Sequence, residues 1–206
     1  MIRVLVAEDS ELTRLGIVTM LSTQADISVV AQAEDGAQAI TLFRQHRPDV
    51  ALIDLRMPVM DGVQVAAAIT AETPPGRVLV LSNYDGDENI FQALKAGAAG
   101  YLTKGARGPQ LIEALRAVAA GQRFLPPEVA QQLAERVLTQ PLGARETQIL
   151  NLIAAGKTNP EIAEALGISR KTVGMFVGRL MFKLDVHTRT EAVTVALKRG
   201  ILKPDP

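Results

Sequence analysis

Five side chains in the first 104 residues of this 206-residue sequence could together handle a phosphoryl group. They are the adjacent carboxylates Glu8 and Asp9, the carboxylate Asp54, the hydroxyl of Ser82 and the ammonium of Lys104. Carboxylates drawn to one place repel one another, and a hard divalent cation relieves that repulsion. Mg²⁺ retains several waters and takes one or two carboxylates plus phosphate oxygens, which suits Asp9 and Asp54 as direct ligands. Lys104 and Ser82 would face the oxygens of the transferred group. In-line phosphoryl transfer needs mainly positioning and charge neutralisation, and these groups supply both. Single acidic residues near strand ends are common in loops, and only their joint placement points to chemistry.

That placement depends on the elements between them. The first 120 residues alternate short β-branched runs with longer helical patterns. Strands are expected at Arg3–Ala7, Ser28–Ala33, Val50–Asp54, Val78–Ser82 and Gly100–Leu102. Helices are expected near Ser10–Ser22, Gly36–His46, Gly62–Thr70, Asp87–Ala96 and Gly108–Ala120. A strand apolar throughout, such as Val78-Leu79-Val80-Leu81, belongs where helices cover both faces of a parallel sheet. The rhythm implies an α/β fold with a doubly wound, five-stranded parallel sheet. In such sheets ligands collect at the carboxyl ends of the strands, where Glu8-Asp9, Asp54, Ser82 and Lys104 all fall.

The second half reads differently. Residues 122–141 form a connector in which Pro126-Pro127 opens a helix running to about Leu138. From Leu142 to the terminus no strand pattern occurs. Short helices are expected near Arg145–Ala155, Asn159–Leu166, Ser169–Leu184 and Thr190–Arg199, a second, smaller all-α domain. Residues 1–125 carry 11 Lys and Arg against 14 Asp and Glu, a net of −3. Residues 126–206 carry 11 against 8, a net of +3, so the halves suit different partners. There is no cysteine, and the two histidines are His46 and His187, which excludes thiolate chemistry and histidine-rich metal sites. No apolar run approaches the ~20 residues that span a bilayer, so a cytoplasmic protein with no membrane partner is expected.

Glu8-Asp9, the run Asp54-Leu55-Arg56-Met57-Pro58 with Asp61-Gly62, Ser82, and Tyr101-Leu102-Thr103-Lys104 resemble the flavodoxin-like receiver domain of bacterial two-component response regulators, over about residues 1–121. The resemblance implies that Asp54 accepts a phosphoryl group from a sensor histidine kinase. It implies Mg²⁺ ligation by Asp9, Asp54 and the Arg56 carbonyl, with Glu8 acting through water. Ser82 and Tyr101 match the hydroxyl and aromatic positions that move together on activation. Gly105 departs from the proline that many receivers carry after the lysine.

Residues 142–206 resemble the LuxR-type helix-turn-helix domain, which makes the whole chain similar to the NarL/FixJ class. The matching residues include Arg145-Glu146, Gly156-Lys157-Thr158-Asn159, Leu166-Gly167-Ile168-Ser169, Lys171-Thr172-Val173 and Arg189-Thr190-Glu191-Ala192. Double-stranded DNA is the implied partner, with Lys157, Ser169, Arg170, Lys171, Thr172, Met175, Arg179 and Lys183 as contact candidates and Arg189 as a further phosphate contact. A homodimer is implied when Asp54 is phosphorylated, with the last helix a candidate contact. The chain departs from the family at Gly174, Phe176 and Gly178. Two glycines cost the groove helix roughly 1 kcal/mol each relative to alanine and read no base edges. Two readings follow. The glycines allow close approach to DNA, or the domain has lost specific DNA reading and binds a protein partner. An enzyme turning over small phosphomonoesters is disfavoured, because no second aspartate follows Asp54 by two residues and no glycine loop cradles phosphate.

Overall fold

A computed structural model describes residues 1–83, 86–138 and 141–202. The expected connector's residues 139–140 and the expected helical domain's residues 203–206 lie outside the described set. The chain divides into two compact units, one ending at Ala130 and the other formed from Gln131 onward together with the short segment 85–89.

The first unit alternates strand and helix: β1 Ile2–Ala7, α1 Glu11–Ser22, β2 Ile27–Ala33, α2 Gly36–His46, β3 Val50–Asp54, α3 Gly62–Thr70, β4 Val78–Ser82, α4 Asp87–Lys95, β5 Gly100–Thr103 and α5 Gly108–Ala119. All strand pairs are parallel, in the order β2-β1-β3-β4-β5. β3 and β4 are buried along their whole length, as continuous apolar runs require between two helical layers. One layer packs Leu5, Ile53, Val80 and Tyr101 against α2, α3 and α4 residues such as Phe43, Ile69 and Ile90. The other packs Val4, Leu52 and Leu79 against Ile17, Leu21, Leu111 and Leu115 of α1 and α5.

The helices start where their caps dictate. Ser10, Asp35 and Asp61 accept from the amides of Thr13, Gln38 and Gln64 at the starts of α1, α2 and α3. Gln64 returns a bond to the Asp61 amide at 3.1 Å, closing a capping box.

The expected connector begins as part of this unit. Phe124 donates its amide to the Ala99 carbonyl at 3.0 Å and accepts from the Tyr101 amide at 3.2 Å, extending the edge beside β5. Val129, in α6 (Pro127–Leu138), is buried in the first layer.

The second unit contains α7 Ala144–Ala154, α8 Asn159–Leu166, α9 Arg170–Leu184 and α10 Arg189–Lys198. Its core joins Ile149, Leu150 and Ile153 of α7 with Ile162, Val173, Val177, Leu180, Leu184, Ala192 and Ala196. Gly167 ends α8 at φ 63°, a left-handed position that glycine takes without a Cβ clash. Ser169 then caps α9, accepting the Thr172 amide at 3.1 Å.

Candidate functional site

The strand order reverses between β1 and β3, the point at which the connections of such a sheet leave to opposite faces and open a crevice. Glu8 and Asp9 follow β1, Asp54 ends β3, Ser82 ends β4 and Lys104 follows β5. All five residues read from the sequence as one site are thus brought to one sheet edge. Register fixes the alignment: Ala7 pairs with Ile53, Asp54 with Leu81 and Ser82 with Thr103.

Glu8 and Asp54 are buried, at 1% and 6% relative exposure, while Asp9 is exposed. Each of the three offers a carboxylate oxygen, and these lie within 4.8 Å of one another. Lys104 bridges the buried two. Its ammonium is 2.7 Å from Glu8 Oε2 and 3.0 Å from Asp54 Oδ2. The Lys104 amide donates to the Ser82 carbonyl at 2.8 Å, which anchors the start of the lysine's loop.

Burial pushes the Asp54 carboxyl above its ordinary value, against the pull of Lys104 and the Arg56 amide and with added repulsion from Asp9. Burial likewise raises Glu8, opposed by Lys104 and reinforced by Asp54. Burial works against the Lys104 ammonium, yet its bonds to Glu8 and Asp54 outweigh it and raise that group. The pocket therefore holds more negative charge than one lysine compensates. An all-oxygen donor set of this spread fits a small, hard divalent cation.

The surrounding backbone is held closely. A Cβ on Gly62 would strike the Asp54 carbonyl, so only glycine lets α3 begin this close to Asp54. Arg14, a residue the sequence reading passed over, donates to the Glu8 carbonyl at 2.6 Å and ties α1 to the acidic loop. Val59, also passed over, is exposed between Pro58 and Met60 with φ 66°, an uncommon conformation for a β-branched residue. Ser82 and Tyr101 are both fully buried, Tyr101 within the layer containing Ile90 and Ala98. Beside Lys104 lies an apolar groove of about 240 Å³, lined by Leu12, Gly16, Ile17, Met20, Leu81 and Leu111.

The second unit separates the basic candidates. Arg170, Lys171, Met175 and Arg179 are exposed on α9. Lys157 is about half exposed and lies 3.5 Å from Glu161, one helical turn on. Ser169 and Thr172 bond to each other through their hydroxyls at 2.8 Å, in service of the cap. The Lys183 ammonium is held 2.6 Å from Glu146 Oε2 and 3.0 Å from the Pro141 carbonyl. Arg189 likewise donates to the Lys157 carbonyl and the Asn159 side chain, pinning α10 to the start of α8. Phe176 packs against the core, whereas Phe182 is 82% exposed. Spacing alone could have exposed Phe182, since it lies four residues beyond Gly178.

No described helix is long and apolar enough to cross a membrane. The family model of the response regulator receiver domain matches residues 4–116, and that of the luxR family of bacterial regulatory proteins matches residues 140–196. The chain is 40% identical over 207 residues to the probable transcriptional regulatory protein NarL of Mycobacterium tuberculosis, spanning 98% of this chain and 96% of that one. It is 37% identical over 210 residues to the transcriptional regulatory protein LiaR of Bacillus subtilis, spanning 98% and 100%. RcsB from Salmonella enterica serovar Typhimurium, solved on promoter DNA with the phosphomimetic BeF3-, matches with a TM-score of 0.74 at 26% identity, covering 94% of this chain and 97% of RcsB. Five parallel strands, an acidic crevice at their carboxyl ends and a helix-turn-helix after them place this chain in the response regulator family, as a two-component transcription regulator with a receiver domain and a LuxR-type DNA-binding domain.

Proposed function

We propose that Asp54 is the phosphoacceptor through which a sensor histidine kinase controls dimerisation and DNA binding by this regulator. The observation that carries the reading is the Lys104 ammonium held between Glu8 and Asp54 in a crevice too acidic for one lysine to neutralise. Asp9, Asp54 and the Arg56 carbonyl would hold Mg²⁺, with Glu8 acting through water. Bound there, the ion would offset charge on the phosphoryl oxygens.

An Asp54 carboxylate oxygen attacks the phosphorus of a phosphohistidine. The new P–O bond forms as the P–N bond breaks, and the imidazole leaves and takes up a proton. Lys104 already reaches both carboxylates, so it can follow the negative charge onto the transferred group. The Ser82 hydroxyl and Tyr101 then respond to that charge, and the receiver surface changes to favour the dimer. The chain's own chemistry extends at most to taking phosphoryl groups from small donors and losing them to water. A cytoplasmic site of action fits a donor of this kind.

Exposed Met175 and Phe182 on α9 favour a second reading, in which this helix docks a protein partner rather than DNA. The test joins both. Full-length chain is treated with beryllofluoride and Mg²⁺, and its mass is followed by light scattering beside a DNA shift assay. A dimer that binds selected duplexes is expected, with Asp54→Asn remaining monomeric. Dimerisation of Asp54→Asn under the same treatment would falsify the acceptor assignment. A dimer that binds no duplex selectively would favour the protein partner.

A further inference from the structure

α9 turns two parallel rows of residues toward solvent, each with a four-residue step. One row is Lys171, Met175 and Arg179, and the other is Gly174, Gly178 and Phe182. All six are exposed, Met175 at 50%. Nothing lies within 4 Å of where a Cβ would stand on Gly174 or Gly178. The two hydroxyls at the start of the helix are committed to its cap. The face therefore offers two cationic donors, one thioether, the Phe182 ring at its C-terminal end and a flat glycine surface. It contains no carboxylate and no side-chain amide.

This inventory decides which bases the face can read. In the major groove, cytosine presents an amino donor and needs an acceptor opposite it. Adenine is read by an amide that accepts and donates at once. Neither group is present. Guanine presents two acceptors, which suit Lys171 or Arg179. Thymine presents a 5-methyl group, and Met175 is the apolar side chain between the two cations. The glycines one position before Met175 and three after it remove the side chains that would hold the helix away from the base edges. Charge favours duplex DNA over a protein as occupant, since Arg170, Lys171 and Arg179 surround Met175 and residues 126–206 carry a net charge of +3.

We infer that Met175 selects thymine through its 5-methyl group, with Gly174 and Gly178 providing the clearance for that contact. The inference rests on α9 being the groove-reading helix. It deepens that reading by making target sites depend on the placement of thymine methyls and guanines, with no adenine read by an amide.

The experiment uses the full chain carrying beryllofluoride and duplexes that it selects from a random-sequence library. Each thymine of a selected duplex is replaced in turn by deoxyuridine, which lacks only the methyl group, and affinity is followed by fluorescence anisotropy. Loss of one contacted methyl weakens binding about fourfold, the equivalent of one methyl-sized group returned to water. Met175→Ala binds the thymine and uracil duplexes alike, Met175→Leu keeps the difference, and Arg179→Ala weakens both duplexes equally. If no uracil position weakens binding, or if Met175→Ala still distinguishes the two, the methyl contact is wrong while DNA reading stands. If the library yields no selectively bound duplex, α9 is not a groove reader and both fall.

Discussion

Lys104 and Lys183 are each held by a buried carboxylate, and the two have opposite meanings. Lys104 is set between two carboxylates, Glu8 and Asp54, that remain in excess of it. Lys183 meets one, Glu146, in a closed pair that also accepts the Gly143 amide at 2.7 Å. Burial works against the charged Glu146 carboxyl, yet Lys183 and Gly143 outweigh it and hold the group below its ordinary value of 4.5. A lowered folded-state value means that the pair's stabilisation is fully present above 4.5 and is lost as pH falls through the lower folded-state value. Glu146→Ala leaves Lys183 largely buried without a counter-charge, and should cost about 3 kcal/mol at pH 7. Urea unfolding of the helical unit at pH 7 and at pH 3 should show the gap between wild type and variant narrowing in acid. A gap unchanged by pH would mean that the carboxylate's charge is not what stabilises the pair. The sequence shows Lys183 only as a basic residue late in a helix, because its partner lies on another helix, 37 positions earlier.

At the scale of the element, most boundaries were legible because each rests on local chemistry. β-Branched and unbroken apolar runs marked the strands, and Ser169, Gly167 and Pro127 marked helix ends where capping or a fixed φ acts within a few residues. The two glycines of α9 were legible as a cost but not as a choice. The structure shows that no neighbour requires them, since both positions open to solvent. Alanine at both should therefore stabilise the helix by about 1 kcal/mol per site. Thermal unfolding of Gly174→Ala/Gly178→Ala should show a raised midpoint for the helical unit, and the same variant should bind selected duplexes more weakly than wild type. Greater stability with unchanged DNA affinity would remove the clearance role.

For the whole molecule, charge is divided along the chain, with −3 in residues 1–125 and +3 in residues 126–206. A phosphoryl group would add roughly −1.5 to −2 to the already acidic stretch, leaving DNA contact to the basic one. In the proposed DNA complex Arg170, Lys171 and Arg179 would neutralise about three phosphates per protomer. The logarithm of the binding constant should then fall against the logarithm of salt with a slope of roughly −5 for a dimer. Titrations between low and physiological salt should show Arg179→Ala flattening the slope by about 2 for the dimer and Lys183→Ala leaving it unchanged. A flatter slope for Lys183→Ala would return that lysine to the DNA surface.

The sequence by itself determined the strand and helix order, the identity of the acidic and cationic groups, and the two glycines of the helix capped by Ser169. Each of these is written in local spacing or in residue chemistry. Only the tertiary structure decided which cations are available. Lys104 and Lys183 acquire their partners through contacts between residues 96 and 37 positions apart. The same long-range packing buried Glu8 beneath Lys104, drew Phe124 onto the strand edge and left Met175 and Phe182 in solvent. Such outcomes depend on how helices and strands close upon one another, and no local pattern encodes them.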